Sequence, residues 1–125
     1  MQKVQGIGGL FFKSPDPKAL SAWYRDNLGF DVADWGGAHF EENEGSRRQN
    51  SFVWAPFGED SNHFAPGTQP WMVNFRVDDL DAMLAQLRAN GCWVDERVEE
   101  SEFGRFGWTM DPDGCKVELW EPPLR

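Results

Sequence analysis

The sequence runs twice through one order of elements. An apolar stretch leads, a capped amphipathic helix follows, and short β-prone runs close each unit. Phe11-Phe12-Lys13 in the first half answers Asn74-Phe75-Arg76 in the second. Leu28-Gly29-Phe30 answers Asn90-Gly91-Cys92, and Trp54-Ala55-Pro56 answers Trp120-Glu121-Pro122 to within one residue. A repeat of this length predicts two similar units facing each other across a pseudo-twofold axis.

The first unit opens with Ile7 to Phe12, a short β-prone run that reads as a buried strand. Asp16 offers an N-cap and Pro17 a fixed φ for a first helical turn. Lys18 to Asn27 is a helix with Leu20, Trp23, Tyr24 and Leu28 on one face, and Gly29 ends it. Phe30 to Trp35, Ala38 to Glu41 and Ser51 to Ala55 read as strands, with turns at Gly36-Gly37 and Asn43 to Gln49. In the second unit Trp71 to Val77 is a strand and Asp78-Asp79 a cap. Leu80 to Asn90 is a helix with Leu80, Met83, Leu84 and Leu87 on one face. Trp93 to Val98, Phe106 to Met110 and Lys116 to Trp120 are strands, the last two joined by the Asp111-Pro112-Asp113-Gly114 turn. The expected class is α+β: two tandem β-α-β-β-β modules in one domain, 1–125. Module one is 1–57, the linker 58–70 and module two 71–125. The Gly- and Pro-containing linker is long enough to cover a site.

Composition narrows the function classes. The chain has 125 residues, enough for one core, and 7 Trp and 10 Phe exclude a disordered chain. A formal net charge of −9 repels phosphate backbones and anionic lipid, so nucleic acid and membranes are not expected partners. Met1 to Ile7 lacks a basic region followed by an apolar stretch, so no secretory signal is expected. Two cysteines, Cys92 and Cys115, are too few for a disulfide scaffold or zinc cluster, and a reducing cytoplasm is the expected setting.

Four motifs then stand in order: the Asp16 cap, Trp23-Tyr24-Arg25-Asp26-Asn27-Leu28-Gly29-Phe30, Val77-Asp78-Asp79-Leu80-Asp81, and Asp111 through Leu119. Together they resemble the vicinal oxygen chelate superfamily, the glyoxalase, bleomycin-resistance and extradiol-dioxygenase group. The resemblance covers nearly the whole chain. It implies a curled, mostly antiparallel sheet around a cavity, and a homodimer. In active members it also implies one divalent metal held by His, Glu or Gln from both modules. Here the carried-over positions are Gly9 (or Gly8), Phe52, Met72 and Glu118, of which only Glu118 is a ligand type. No metal or other cofactor is therefore expected, the alternative being one divalent ion. His39 reads as a strand histidine and His63 as a solvated loop residue.

Strand alternation gives a separate reading. Phe11 and Lys13 share one face, as do Phe52 and Trp54, and Met72, Asn74 and Arg76. Lys116, Glu118 and Trp120 face the same way, and Trp108 joins them. Apolar walls with a few polar groups suit a small-molecule pocket. Arg76 and Lys13 either hold an anion or pair with acids; Glu118 is either a general base or a structural ion partner of Arg76. Phe11, Trp54 and Trp108 offer stacking surfaces for a flat ligand. The expected function is binding of a small, anionic, partly aromatic metabolite, with lyase or isomerase chemistry if the protein is an enzyme. The alternative is a metal-free binding or sequestering protein.

Overall fold

The computed structural model describes residues 1–41 and 45–125. Its strands are β1 (Gly6–Ser14), β2 (Ala38–Glu41), β3 (Ser51–Gly58), β4 (Trp71–Arg76), β5 (Glu99–Ser101), β6 (Gly104–Met110) and β7 (Lys116–Glu121). Helices α1 (Pro17–Leu28) and α2 (Leu80–Ala89) follow β1 and β4. One seven-stranded sheet runs β2-β3-β1-β4-β7-β6-β5. The β1–β3 and β4–β7 pairs are parallel and the others antiparallel, so the sheet is α+β in class and mostly antiparallel.

The repeat is exact in register. Partners stand 44 residues apart in both parallel pairs, as Phe11↔Ala55 and Asn74↔Glu118. The helix caps recur 63 residues apart: Asp16 accepts from the Ala19 N–H and Asp79 from the Ala82 N–H. That shift carries Gly9 to Met72 and Ala55 to Glu118. The sequence match of Trp54 with Trp120 was therefore three residues out; Phe57 is the structural counterpart of Trp120.

Three predicted strand features change. Phe30 to Trp35 is not a strand, because Phe30 turns its ring into the cluster beneath α1, edge-on to Trp54 at 5.1 Å, and the Ala33–Gly37 turn follows. Trp93 to Val98 makes only the Val94↔Thr109 bridge. Asp95 accepts from the Arg97 N–H there, a local turn that competes with a ladder. The second strand of that module forms later, at Glu99–Ser101. The predicted turn over Asn43 to Gln49 begins outside the described residues.

Two cores result. Val77, Leu80, Met83, Leu84 and Leu119 pack α2 against β7 on the convex face. Phe11, Ala55, Phe64, Met72 and Trp108 fill part of the concave face. At the start of β6, Gly104 has φ 113°, and a Cβ there would lie 2.3 Å from the Glu121 carbonyl oxygen. Gly104→Ala is expected to cost about 2–3 kcal/mol in urea unfolding. A loss below about 0.5 kcal/mol would contradict this start of β6.

Candidate functional site

The concave face divides at Asn74. On one side, linker residue Phe64, only 1% exposed, plugs the half-barrel and meets Phe57 edge-on at 5.3 Å. Glu118 lies beneath the plug at 4% exposure. Its Oε1 accepts from Asn74 Nδ2 at 2.7 Å and its Oε2 from Trp108 Nε1 at 2.9 Å. His63 Nε2 stands 3.5 Å from Oε2, and its ring stacks on Phe57 at 5.1 Å. Lys116 Nζ donates to the His63 carbonyl at 2.8 Å and lies over the Trp108 ring. Burial holds the Lys116 amine below the usual lysine range. The linker is thus fastened by a backbone acceptor, a stacked imidazole and a buried phenylalanine.

On the other side the half-barrel opens into a cavity of about 1040 Å³. Phe11, Val53 and Asn74 form its floor. Phe106 and Trp120, parallel with ring centroids 6.0 Å apart, make one wall; Trp35, edge-on to His39 at 5.3 Å, makes another. Trp120 is held by its indole N–H, which donates to the Phe103 carbonyl at 2.7 Å. Glu41, Gln49, Glu102 and Arg125 stand around the cavity with the C-terminal tail.

That tail is tied in by Arg48, whose side chain is 11% exposed. Its guanidinium donates to the Pro122 and Asp78 carbonyls, each at 2.6 Å, and to the Asp78 carboxylate at 3.0 Å. Arg47 pairs with the same carboxylate. The hydrogen bond from Arg48, with the two nearby positive charges, holds the Asp78 carboxyl below the ordinary aspartate range. A carboxyl lowered by folding stabilises the fold above the unfolded aspartate pKa of about 4 and loses that contribution as pH falls through its lower folded value. Arg48→Met is therefore expected to flatten the acid limb of a stability–pH profile below about pH 4. An unchanged acid limb would contradict the role given to Arg48.

The predicted site residues distribute unevenly. Phe11 and Asn74 line the cavity, whereas Met72, Trp108 and Glu118 lie in the plugged half. Phe52 and Trp54 belong to the opposite face. Trp54 packs under α1, with ring centroids 4.6 Å from Tyr24 and 5.3 Å from Phe12. The reason is register: β3 is apolar on both faces, so alternation alone does not sign it, and pairing with β1 turns Val53 and Ala55 inward. Lys13 and Arg76 are not brought together. β1 and β4 are antiparallel, with Gly6↔Arg76 at one end and Phe12↔Trp71 at the other, roughly 20 Å apart along the strands. Lys13 lies near the Phe64 ring, and Arg76 Nη1 donates to the Ile7 carbonyl at 2.8 Å. Glu118 takes its hydrogen bonds from two neutral donors, Asn74 and Trp108, rather than from Arg76, the partner that one of the two readings gave it.

Sequence reasoning did not single out Trp35, His39, Phe103 or Phe106 as site residues. It also placed His63 in solvent. Trp35 and Phe103 reach the cavity from segments outside strands, which no periodicity marks. Phe106 shares the face of Trp108 two residues on, a signal that was present in the sequence. The two cysteines carry no site: both are free, and burial keeps the Cys115 thiol above its usual pKa, aided by Asp111 and Asp113.

A repeated sheet curled about an apolar hollow defines a paired-module protein with a ligand-sized cavity. The glyoxalase-like domain family matches residues 9–120, and the chain belongs to that family. Among curated proteins none matches. Solved structures of similar fold include methylmalonyl-CoA epimerase from Mycobacterium tuberculosis, 23% identical with a TM-score of 0.62, covering 95% of this chain and 89% of that one. A variant of Streptomyces coelicolor methylmalonyl-CoA epimerase, in complex with 2-nitronate-propionyl-CoA, is 22% identical with a TM-score of 0.70, covering 96% and 99%. A glyoxalase/bleomycin resistance protein/dioxygenase superfamily member from Vibrio splendidus 12B01 is 12% identical with a TM-score of 0.57, covering 97% and 99%. At these identities the likeness is one of fold.

The metal implied by the superfamily does not fit these residues. Carried through the exact register, its four positions are Gly9, Ala55, Met72 and Glu118, with Ala55 replacing the expected Phe52. Only one offers an oxygen donor, and both oxygens of that carboxylate already accept hydrogen bonds. Among the described residues no three His, Cys, Asp or Glu side chains converge as a metal site. No helix among the described residues is long and apolar enough to cross a membrane.

Proposed function

We propose that this protein binds a small, largely apolar, partly aromatic molecule in the open half of its concave face, as a binding or sequestering protein. The observation that carries this reading is the cavity of about 1040 Å³ walled by Phe11, Trp35, Phe106 and Trp120. Such a volume suits a small organic molecule, and aromatic walls favour a flat one. The cations expected to hold an anion, Lys13 and Arg76, do not line this cavity; Arg125 does, beside Glu41 and Glu102. Ligand-observed NMR against neutral bicyclic aromatics, aryl carboxylates and aryl amines tests the proposal. Saturable binding of the neutral aromatics, weakened at least about tenfold in Trp120→Ala, is expected. Absence of saturable binding by every aromatic contradicts it.

A second reading, proton transfer by Glu118, rests on His63 standing 3.5 Å from its carboxylate. Glu118 does not line the open cavity, and Asn74 lies between the two. The binding reading is therefore preferred. Loss of a catalysed proton exchange in Glu118→Gln, with ligand affinity retained, would reverse that preference.

A cytoplasmic homodimer belongs to the same proposal. Ile7, Leu10 and Trp71 are exposed on the convex face of β1 and β4, between the two helices, where a second copy would cover them. Light scattering is expected to give twice the chain mass; a monomer at every concentration contradicts it.

A further inference from the structure

The open cavity has a polar end, where β2 finishes and β3 starts. Ser51 opens β3 and shares the face of Val53, which pairing with β1 turns inward. It lines the cavity and is 8% exposed. Among the described residues its hydroxyl has no hydrogen-bond partner, and it is not sealed from solvent as the Asn74 oxygen is. Mostly buried polar groups are nearly always paired, so a spare hydroxyl in a cavity wall calls for a ligand atom. Glu41 is the partner of Ser51 across the β2–β3 ladder, so the two side chains stand next to each other on the concave face. Glu102, from the segment between β5 and β6 at the other edge of the sheet, also lines the cavity. Among the described lining residues these two acids face one full cation, Arg125. Arg125 Nη1 donates to the Ser46 carbonyl at 2.9 Å. Arg105, near Glu102 in the chain, is engaged by Asp81 and Glu100.

We infer that the ligand of this cavity is an aromatic molecule carrying a protonated amine, with the ammonium set at Ser51 Oγ and the Glu41 carboxylate. The inference rests on the binding reading above and names its ligand class. An ammonium has three N–H donors and no acceptor, which suits a hydroxyl and a carboxylate standing side by side. The faces of Trp35, Phe106 and Trp120 carry negative quadrupoles and attract the same charge. A carboxylate ligand meets one arginine against two acids. A neutral alcohol reaches Ser51 but gains nothing from either acid.

The probes are 2-naphthylmethylamine, 2-naphthylmethanol and 2-naphthoate, titrated by ligand-observed NMR at neutral pH. Amine and alcohol differ by ammonium against hydroxyl at nearly equal size. In wild type the amine is expected to bind about tenfold tighter than the alcohol, with naphthoate weakest. Glu41→Gln is expected to reduce that ratio to about threefold or less while the alcohol still binds. Glu59→Gln removes the same charge beyond the far end of β3 and is expected to leave the ratio unchanged. Ser51→Ala is expected to weaken the amine about threefold without lowering the urea midpoint, because the fold does not use that hydroxyl. Alcohol binding as tight as the amine in wild type, or naphthoate binding tightest, overturns the amine assignment and leaves the cavity reading standing. An amine preference that survives Glu41→Gln, or that Glu59→Gln lowers equally, reports the overall charge of the chain and overturns it as well. Amine affinity unchanged in Ser51→Ala overturns the placement of the ammonium. Failure of all three probes to bind overturns both readings.

Discussion

Phe64→Ala is expected to lower the unfolding free energy by about 3–5 kcal/mol. The residue comes from a linker, where substitutions are usually mild, yet its ring is 1% exposed. It packs with Phe11, Ala55, Met72 and Trp108, which approach from four different strands. Removing the ring leaves a hole that those strands cannot close, because their spacing is fixed by ladder hydrogen bonds on both sides. The change also joins the plugged half of the concave face to the open half. Water then reaches the Glu118 carboxylate, and amide protons of the linker are expected to exchange faster. Urea unfolding and hydrogen exchange measure the two effects. A loss below about 1 kcal/mol with unchanged exchange would mean that the linker is not a plug.

Glu118→Ala is expected to cost about 2–5 kcal/mol, for a different reason. The carboxylate is 4% exposed and satisfies two buried donors, Asn74 Nδ2 and Trp108 Nε1. Alanine leaves both unpaired in a site that excludes water. Glu118→Gln retains one acceptor and turns an amide N–H toward the other donor, so an intermediate loss of about 1–3 kcal/mol is expected. A carboxylate on an open sheet face would show neither effect. Denaturation of the two variants, with near-ultraviolet circular dichroism following the indole environment, checks the ordering.

Much of the fold was legible because it is written twice. Two aspartate caps, two amphipathic helices and two leading strands recur at one spacing, and the resemblance to the vicinal oxygen chelate group rested on the same segments. β4 and β7 alternate cleanly, so Asn74 and Glu118 were placed on the inner face from sequence. β3 reads Phe52-Val53-Trp54-Ala55, apolar at every position. A one-residue error in its facing was therefore invisible, and it moved Phe52 and Trp54 to the wrong side. The pairing of Lys13 with Arg76 failed on geometry rather than chemistry. A pseudo-twofold axis relates equivalent residues in antiparallel strands, which sends them to opposite ends of the pair. His63, Phe64, Trp35 and Phe103 reach the concave face from turns and linkers, where no period marks the direction of a side chain. The sequence thus showed which strands build the cavity better than which loops close and wall it.

Ligand is expected to occupy the open half of the concave face, against Trp35 and Trp120. The most direct test is an indole N–H titration by nitrogen–proton correlation NMR, following all seven tryptophans as 2-naphthol is added. Saturable shifts are expected at Trp35 and Trp120, with Trp23 and Trp54, which pack with Tyr24, unmoved. Shifts confined to Trp23 and Trp54, with Trp35 and Trp120 unchanged, would place the ligand on the helix side of the sheet and contradict it.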